Sequence, residues 1–264
     1  MPPANVPEPF MVRFLQGWNA PAKRIEPHLG TPGYSLPDVS EFQWHPMPGT
    51  APNNWVIAPP NMSGWANNRR FDLESGATEN VVVLGSDSSV IGRLFICGSR
   101  NIAILLGATK GTNPINVHLF TNDHVFYFGN GCTSNTVTFE LGYDGATIVV
   151  GEDCMFSAGI AVRTHDDHGI IDTETGQTLN APGNVHFEPH VWVGLDATIL
   201  KGVRLGFGSI VATRALVTRN VPPKTLVAGL PARVLRTNVS WVRERVPRLD
   251  ALTRLRALEH RFVS

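Results

Sequence analysis

Hydrophobic residues recur at a fixed interval of six along the second half of the chain. Positions 187, 193, 199, 205, 211 and 217 are Phe, Val, Ile, Leu, Val and Val, and a small or β-branched residue stands two places before each. Positions 150, 156 and 162 keep the same step in an earlier frame. A bulky apolar residue at every sixth position predicts a short strand that ends at a corner every six residues. Three such strands would complete one coil and turn their bulky side chains inward.

A longer repeat precedes this one. Short runs of β-branched or aromatic residues end at Gly85, Gly107, Gly129 and Gly151, which follow one another at intervals of 22 residues. Equal spacing predicts that each unit takes the same place in successive coils, with a bulge of about four residues added to the shorter repeat. We therefore predict an all-β solenoid over residues 76–236, with glycines such as Gly206 at its corners.

The two ends of the chain follow neither repeat. The first 70 residues hold 13 of the 20 prolines and four of the six tryptophans, so residues 1–75 are predicted to be an irregular segment. Near the other end, Leu249, Leu252, Leu255 and Leu258 recur at helical spacing. We expect an amphipathic helix within residues 237–264, which caps the solenoid or packs between subunits.

Composition excludes several classes of protein. Lys+Arg and Asp+Glu number 22 each, so the net charge is zero and no nucleic-acid partner is indicated. Charged residues make up only 17%, which disfavours coiled coils and helical bundles. No apolar run approaches a membrane span, and the first residues lack a secretory pattern, so we expect a cytoplasmic protein. Cys97, Cys132 and Cys154 are then expected to be reduced, buried thiols.

One segment breaks the rhythm between two regular halves. Residues 163–184 read RTHDDHGIIDTETGQTLNAPGN and are rich in His, Asp, Thr and Asn. A polar loop inserted into a regular solenoid is the place where function is expected.

Four sequence pieces make the chain resemble a known family. They are GEDCMFS at 151–157, RTHDDHGIID at 163–172, HVWVG at 190–194 and VTRNVPPKTLVAGLPARVLR at 217–236. Over about residues 79–240, the chain resembles the hexapeptide-repeat proteins with a left-handed parallel β-helix. Within them it is similar to acetyl-CoA-dependent O-acetyltransferases of bacterial polysaccharides and sugars. The resemblance implies acetyl-CoA as co-substrate, a carbohydrate acceptor, no metal, and a homotrimer with active sites between adjacent subunits.

The resemblance also assigns the catalytic residues. The family's catalytic histidine occupies the DxH position, which is His168 here, and histidine suits a general base because it titrates near neutral pH. Asp166 lies two residues earlier and would fix the imidazole tautomer if the stretch is extended. His165 is a nearby rival for the role of base. Trp192 matches a tryptophan near the acceptor or the thioester, although it would also serve to cover the solenoid edge.

Residues for coenzyme A are expected in the later coils and the exit loop, as small side chains for the pantetheine arm and cations for the phosphates. They are Gly194, Ala212, Arg214, Arg219, Lys224, Ala228, Gly229, Pro231, Arg233 and Arg236. Three positions depart from the family pattern: Leu230 stands where Asn is usual, Gly169 where Ser or Pro is frequent, and Arg219 where Lys is frequent. Leu230 removes an amide that would stabilise the turn.

Three alternatives remain open at this point. The same fold catalyses N-acetylation of amino-sugars or sugar nucleotides. It also hosts metal-dependent hydratases, which here would need His118 and His124, or His186 and His190, to converge with a further histidine. A non-catalytic solenoid that binds glycan through the Trp-rich segment is the third.

Overall fold

The structure, a computed structural model, describes residues 42–47, 50–51, 53–60, 70–87, 91–107 and 115–263. These residues form β1 (Gln43–Pro46), β2 (Trp55–Ala58), β3 (Arg70–Leu73), β4 (Val81–Asp87), β5 (Ile91–Ile96), β6 (Ile102–Gly107), β7 (Ile115–Leu119), β8 (Val125–Phe128), β9 (Thr133–Ser134), β10 (Val137–Leu141), β11 (Thr147–Val150), β12 (Met155–Phe156), β13 (Ile160–Arg163), β14 (Val185–Phe187), β15 (Trp192–Val193), β16 (Thr198–Ile199), β17 (Arg204–Leu205), β18 (Ile210–Val211), β19 (Leu216–Val217), β20 (Thr225–Ala228), β21 (Arg233–Thr237) and α1 (Ala251–Val263). The predicted all-β fold with a C-terminal helix is confirmed.

The strands lie in three sheets whose internal strands run parallel. The first sheet has the order β1-β2-β4-β6-β8-β11-β14-β17, the second β19-β16-β13-β10-β7-β5-β3, and the third β21-β20-β18-β15-β12-β9. From β2 to β20, consecutive strands belong to different sheets. We call one pass of the chain through the sheets a coil. Two antiparallel strands, β1 on β2 and β21 on β20, end the first and third sheets.

The six-residue rhythm corresponds to the core. Every position counted in sixes from 187 to 217 is buried in one apolar cluster, together with positions 150, 156 and 162. Aromatic rings continue this core between coils, since the ring of Phe156 lies 5.8 Å from Phe139 and 5.4 Å from Phe187. Gly85, Gly129 and Gly151 each follow the same register position of the first sheet, whereas Gly107 pairs with Asp87 instead.

A row of buried amides crosses the early coils. Asn54, Asn80 and Asn101 each stand directly before a strand of the first sheet, in register, and His124 takes the next place. Oδ1 of Asn80 accepts a hydrogen bond from the backbone N of Asn101 at 2.9 Å. Oδ1 of Asn101 accepts one from the backbone N of His124 at 2.8 Å. The three asparagines therefore satisfy the backbone of the next corner from the preceding coil, and we call them together with His124 the amide row.

The ends of the chain join this body. Strands β1–β3 fall inside the segment predicted to be irregular, and Trp44 packs edge-on against Trp55 with 6.1 Å between ring centroids. Trp18, Trp65 and most of residues 1–75 lie outside the described residues, so the domain division stays a prediction. Among the residues that are described, no helix has the length and apolar character needed to span a bilayer.

Candidate active site

The polar loop lies between β13 and β14 and carries the predicted base. His168 is exposed, and its backbone N donates to the carbonyl O of Asp166 at 2.7 Å, which makes a tight turn. The Asp166 carboxylate does not contact the His168 ring in the described structure. Its Oδ2 instead accepts hydrogen bonds from Lys201 Nζ and from Asn180 Nδ2, the latter at 2.9 Å. Lys201 and then Asn180 hold the pKa of Asp166 below its usual value.

His165 lies on the inner side of the same loop. It is buried and packs edge-on against the rings of Phe120 and Tyr143. Its Nδ1 lies 2.9 Å from Oδ1 of Asp167, and its Nε2 has no hydrogen-bond partner in the described structure. Burial lowers the pKa of His165, because the charged ring would lose its hydration. A neutral, enclosed ring has less access to a substrate hydroxyl than the exposed ring of His168.

Trp192 lies on the third sheet and is 36% exposed, which is unusual for a residue of its size. It pairs with Met155 on one side and Ile210 on the other. The ring of Trp241 from the C-terminal segment lies 6.2 Å away at 52°. The indole thus lines a groove together with Met155, Ile210 and Trp241 and is partly exposed to solvent.

The C-terminal segment is fixed beside this groove by His190. The His190 ring stacks on Trp241 at 4.2 Å with an interplanar angle of 6°. Its Nδ1 lies 2.8 Å from Asp153 Oδ2, and its Nε2 donates to the Trp241 carbonyl at 3.0 Å. Arg243 binds Asp153 Oδ1 through Nε at 3.0 Å and through Nη2 at 2.7 Å. These four residues hold residues 241–243 on the third sheet.

The small residues predicted for the pantetheine arm form a column. Gly194, Ala212 and Ala228 each follow a third-sheet strand pair in register. A Cβ at Gly194 would lie 2.7 Å from the backbone N of Thr213, so the coils meet closely here. Gly229 and Pro231 continue into the turn between β20 and β21, and both are exposed.

The predicted cations divide into two groups. Arg214 lies 3.5 Å from Asp196, and Lys224 forms a 2.6 Å ion pair with Glu259 of α1. The other three, Arg219, Arg233 and Arg236, are exposed and have no ion pair in the part of the chain that the structure describes.

The two halves of the predicted site lie on different elements of the described chain. Trp192 lies on the third sheet, whereas His168 lies in the connection from the second sheet to the first, and no described contact joins them. Sequence reasoning missed Asn180, Lys201 and Trp241. The break in the core rhythm around Asn180 was a signal for a loop, but no sequence pattern links Lys201 to it.

No group of three or more metal-ligating side chains comes together among the described residues. His124 belongs to the amide row, and His190 is engaged by Asp153 and Trp241. The histidines considered for a hydratase thus have other contacts within this chain.

Comparison with known proteins finds sequence similarity to acetyltransferases. No protein-family model matches the chain. A polysialic acid O-acetyltransferase of Escherichia coli O1:K1 is 33% identical over 105 residues, which is 40% of this chain and 34% of that protein. A second, from Neisseria meningitidis, is 30% identical over 141 residues, or 48% and 62% of the two chains. A galactoside O-acetyltransferase of Lactococcus lactis is 30% identical over 111 residues, covering 42% and 52%.

The chain thus spans from about a third to less than two thirds of the length of these relatives. A solved structure of a polysialic-acid-specific acetyltransferase aligns with 78% of this chain and 86% of its own at 22% identity and a TM-score of 0.47, too low to support an argument about function. The sequence homologues of this chain are acetyltransferases, and the resemblance predicted from its motifs is confirmed.

Proposed function

We propose that this chain is an acetyl-CoA-dependent O-acetyltransferase that acts on a sugar hydroxyl of a bacterial polysaccharide or its precursor. The observation that carries the proposal is the loop at 164–184, which breaks the core rhythm and presents an exposed histidine on a tight turn. The homologues named as polysaccharide and galactoside O-acetyltransferases support the reaction and the class of acceptor.

In the proposed reaction, His168 removes the proton of the sugar hydroxyl as the oxygen attacks the thioester carbonyl. The tetrahedral intermediate then expels coenzyme A, and the proton on the imidazole passes to the departing thiolate. The acetyl–sulfur bond breaks and the acetyl–oxygen bond forms, so no oxidant or metal is consumed. Trp192 provides an open ring face beside the reacting groups.

The proposed path of coenzyme A follows the column at Gly194, Ala212 and Ala228. Small side chains there leave the backbone open to the amides of the pantetheine arm. The exposed guanidinium groups of Arg219, Arg233 and Arg236 are free of ion pairs in the described structure and suit phosphate binding. Lys224 is held by Glu259, and Arg214 lies beside Asp196, so these two are weaker ligands unless the carboxylates move.

We further propose that the three sheets wrap as a left-handed β-helix and that three copies assemble as a homotrimer. The parallel sheet order and the buried six-residue rhythm support the helix. The separation of His168 from Trp192 in one chain supports an active site shared between subunits. Cytoplasmic location belongs to the same proposal, and the free thiols of Cys97, Cys132 and Cys154 fit a reducing compartment.

The test is mass spectrometry of a glycan panel incubated with acetyl-CoA and the protein. We expect one acceptor to gain an acetyl group that mild alkali removes, because esters are cleaved where amides persist. The His168→Ala variant should retain its melting temperature and lose transfer. A mass gain that resists alkali would identify an N-acetyltransferase, and normal turnover by His168→Ala would exclude this base.

Shared sites are tested by mixing two inactive variants. When His168→Ala and Trp192→Ala chains are co-assembled in equal amounts, about a quarter of sites between subunits would receive both intact residues. Activity should then exceed that of either variant alone. If the mixed assembly is as inactive as its parents, the two residues act within one chain or not at all.

A further inference from the structure

Asn180 connects three points of the loop around His168. It is buried, at 9% exposed, although it lies in the most polar segment of the chain. Its Nδ2 donates to Asp166 Oδ2 at 2.9 Å and to the His168 carbonyl O at 2.8 Å. Its Oδ1 accepts from the backbone N of Ile170 at 2.7 Å. One side chain therefore binds the carboxylate of Asp166 before the predicted base and the backbone at and after it.

Lys201 ties this arrangement to the next coil. It follows β16, and its Nζ donates to Asp166 Oδ2 and, at 2.8 Å, to the Asn180 carbonyl O. Two donors thus converge on one carboxylate oxygen of Asp166, which anchors the loop to residues that lie 35 positions later. Ammonium and carboxylate neutralise each other, so Asp166 stays ionised at neutral pH.

We propose that Asn180 and Lys201 are positioning residues that hold His168 in the geometry needed to accept a proton. The proposal rests on the proposed role of His168 as the base. Asn is the residue that fits position 180, because it supplies two donor hydrogens and one acceptor on a short side chain. Asp would place a second carboxylate against Asp166, and Gln would be one methylene too long.

The consequence for Asp166 is a different role from the one that the sequence suggested. Its side chain is occupied by Lys201 and Asn180, while its carbonyl O closes the turn to His168 N. Asp166 acts through the loop backbone. The tautomer of His168 is then set by the substrate or by a neighbouring subunit.

The test compares Asn180→Ala, Asn180→Asp, Lys201→Met and Lys201→Arg with the wild-type enzyme. Misplacement of a base by about 1 Å costs on the order of a hundredfold in rate, so we expect kcat to fall by about ten- to a hundredfold in the first three variants. The KM for acetyl-CoA should stay within about twofold, because no proposed coenzyme ligand is changed. Lys201→Arg should recover most of the lost kcat, since it restores a cation to Asp166.

A second readout is independent of acetyl transfer. The His168 Cε1–H proton resonance, assigned by its loss in His168→Gln, should shift or broaden in Asn180→Ala and Lys201→Met. Arg204→Met is the matched control, because Arg204 lies on the following strand and forms an exposed ion pair with Glu188 at 2.5 Å. It should leave both kcat and the resonance unchanged.

The outcomes separate the two proposals. Absence of acetyl transfer in the wild type would contradict the proposed function, and the resonance would still decide whether the two residues hold the loop. Normal kcat with an unmoved resonance in Asn180→Ala and Asn180→Asp would overturn the positioning role. A loss that Lys201→Arg does not recover, or that Arg204→Met reproduces, would also overturn it.

Discussion

The coils up to β8 and those after the 164–184 loop solve the same corner problem differently. In the described residues up to β8, the chain alternates between two sheets with strands of four to seven residues. After β14, it passes through three sheets, and most strands have two residues. The early corners use the amide row, with a left-handed residue before each member. These are Asn53, Glu79, Arg100 and Asp123, with φ of 71°, 60°, 60° and 60°.

The late coils have no continuous row of this kind in the described structure. Asn220 Oδ1 accepts from the backbone N of Arg204 at 2.8 Å and Glu188 Oε2 accepts from that of Phe207 at 2.6 Å, as separate contacts. Their corners are closed by backbone hydrogen bonds and by close approach of successive coils, such as Gly194 N to the Val211 carbonyl at 2.8 Å. Their interior is a regular stack of Val, Ile, Leu and Phe. The comparison indicates that the strict short repeat relies mainly on apolar packing with isolated polar contacts, whereas the longer and uneven coils use a continuous row of buried polar side chains to keep their register.

The largest expected effect is at the amide row. Asn101→Ala removes the acceptor of the buried His124 N and the donor to the half-buried Thr121 carbonyl O. Orphaned buried groups cost about 1–3 kcal/mol each, so we expect the free energy of unfolding in urea to fall by about 3 kcal/mol. Asn116→Ala is the control, because its side chain is half-buried and makes one long contact of 3.4 Å. Equal losses of unfolding free energy in Asn101→Ala and Asn116→Ala would contradict the role of the amide row in the early corners.

The next effect depends on pH and concerns His124. Burial lowers its pKa from the ordinary value of 6.5 to about 4. Between these pH values, His124 binds a proton more readily in the unfolded chain than in the folded one. The contribution of neutral His124 to stability is therefore complete above pH 6.5 and is lost as the pH falls towards 4. Over that interval the loss amounts to about 3 kcal/mol at most.

His124→Asn continues the amide row without a group that titrates there. Its free energy of unfolding should therefore change less between pH 6.5 and 5 than that of the wild type. Carboxylates such as Glu140 and Asp153, whose pKa values are lowered, contribute to acid sensitivity only below this window. An unchanged slope in His124→Asn would show that His124 is not the sensitive group.

The smallest expected effect sharpens the picture of the late coils. A Cβ at Gly206 would lie 2.4 Å from the backbone N of Pro223. The atoms that it would meet belong to the backbone and to the proline ring, so no flexible side chain can move aside. We expect Gly206→Ala to lower the free energy of unfolding by about 2 kcal/mol. Gly169→Ala, which meets nothing within 4 Å, should change it by less than about 0.5 kcal/mol. A tolerated Gly206→Ala would mean that the late coils are not closely packed.

The sequence predicted the late coils well because their physics is local and periodic. Successive buried positions are separated by one strand and one corner, so apolar residues at 187, 193 and 199 suffice to indicate the repeat. The amide row escaped prediction because its members are separated by 26, 21 and 23 residues, and asparagine is ordinarily a surface residue.

The candidate site likewise has one part that the sequence predicted and one part that it did not. His168 was identified by resemblance, and the structure places it on an exposed turn. The contacts of Asp166 with Lys201 and Asn180 could not be predicted, because they join residues from the loop and from a later coil. Spacing along the chain suggested a partnership of Asp166 with His168. The carboxylate has nearer donors in space, and they decide its orientation.

The anchoring of the loop by Lys201 has a consequence for biosynthesis. A ribosome releases His168 well before the lysine that holds its turn, and β16 must add to the second sheet before Lys201 reaches Asp166. The early coils can therefore assemble on the nascent chain while the loop that carries His168 is still unanchored. For the proposed reaction, the loop would reach its anchored geometry late in synthesis, only after the coils downstream of it have formed.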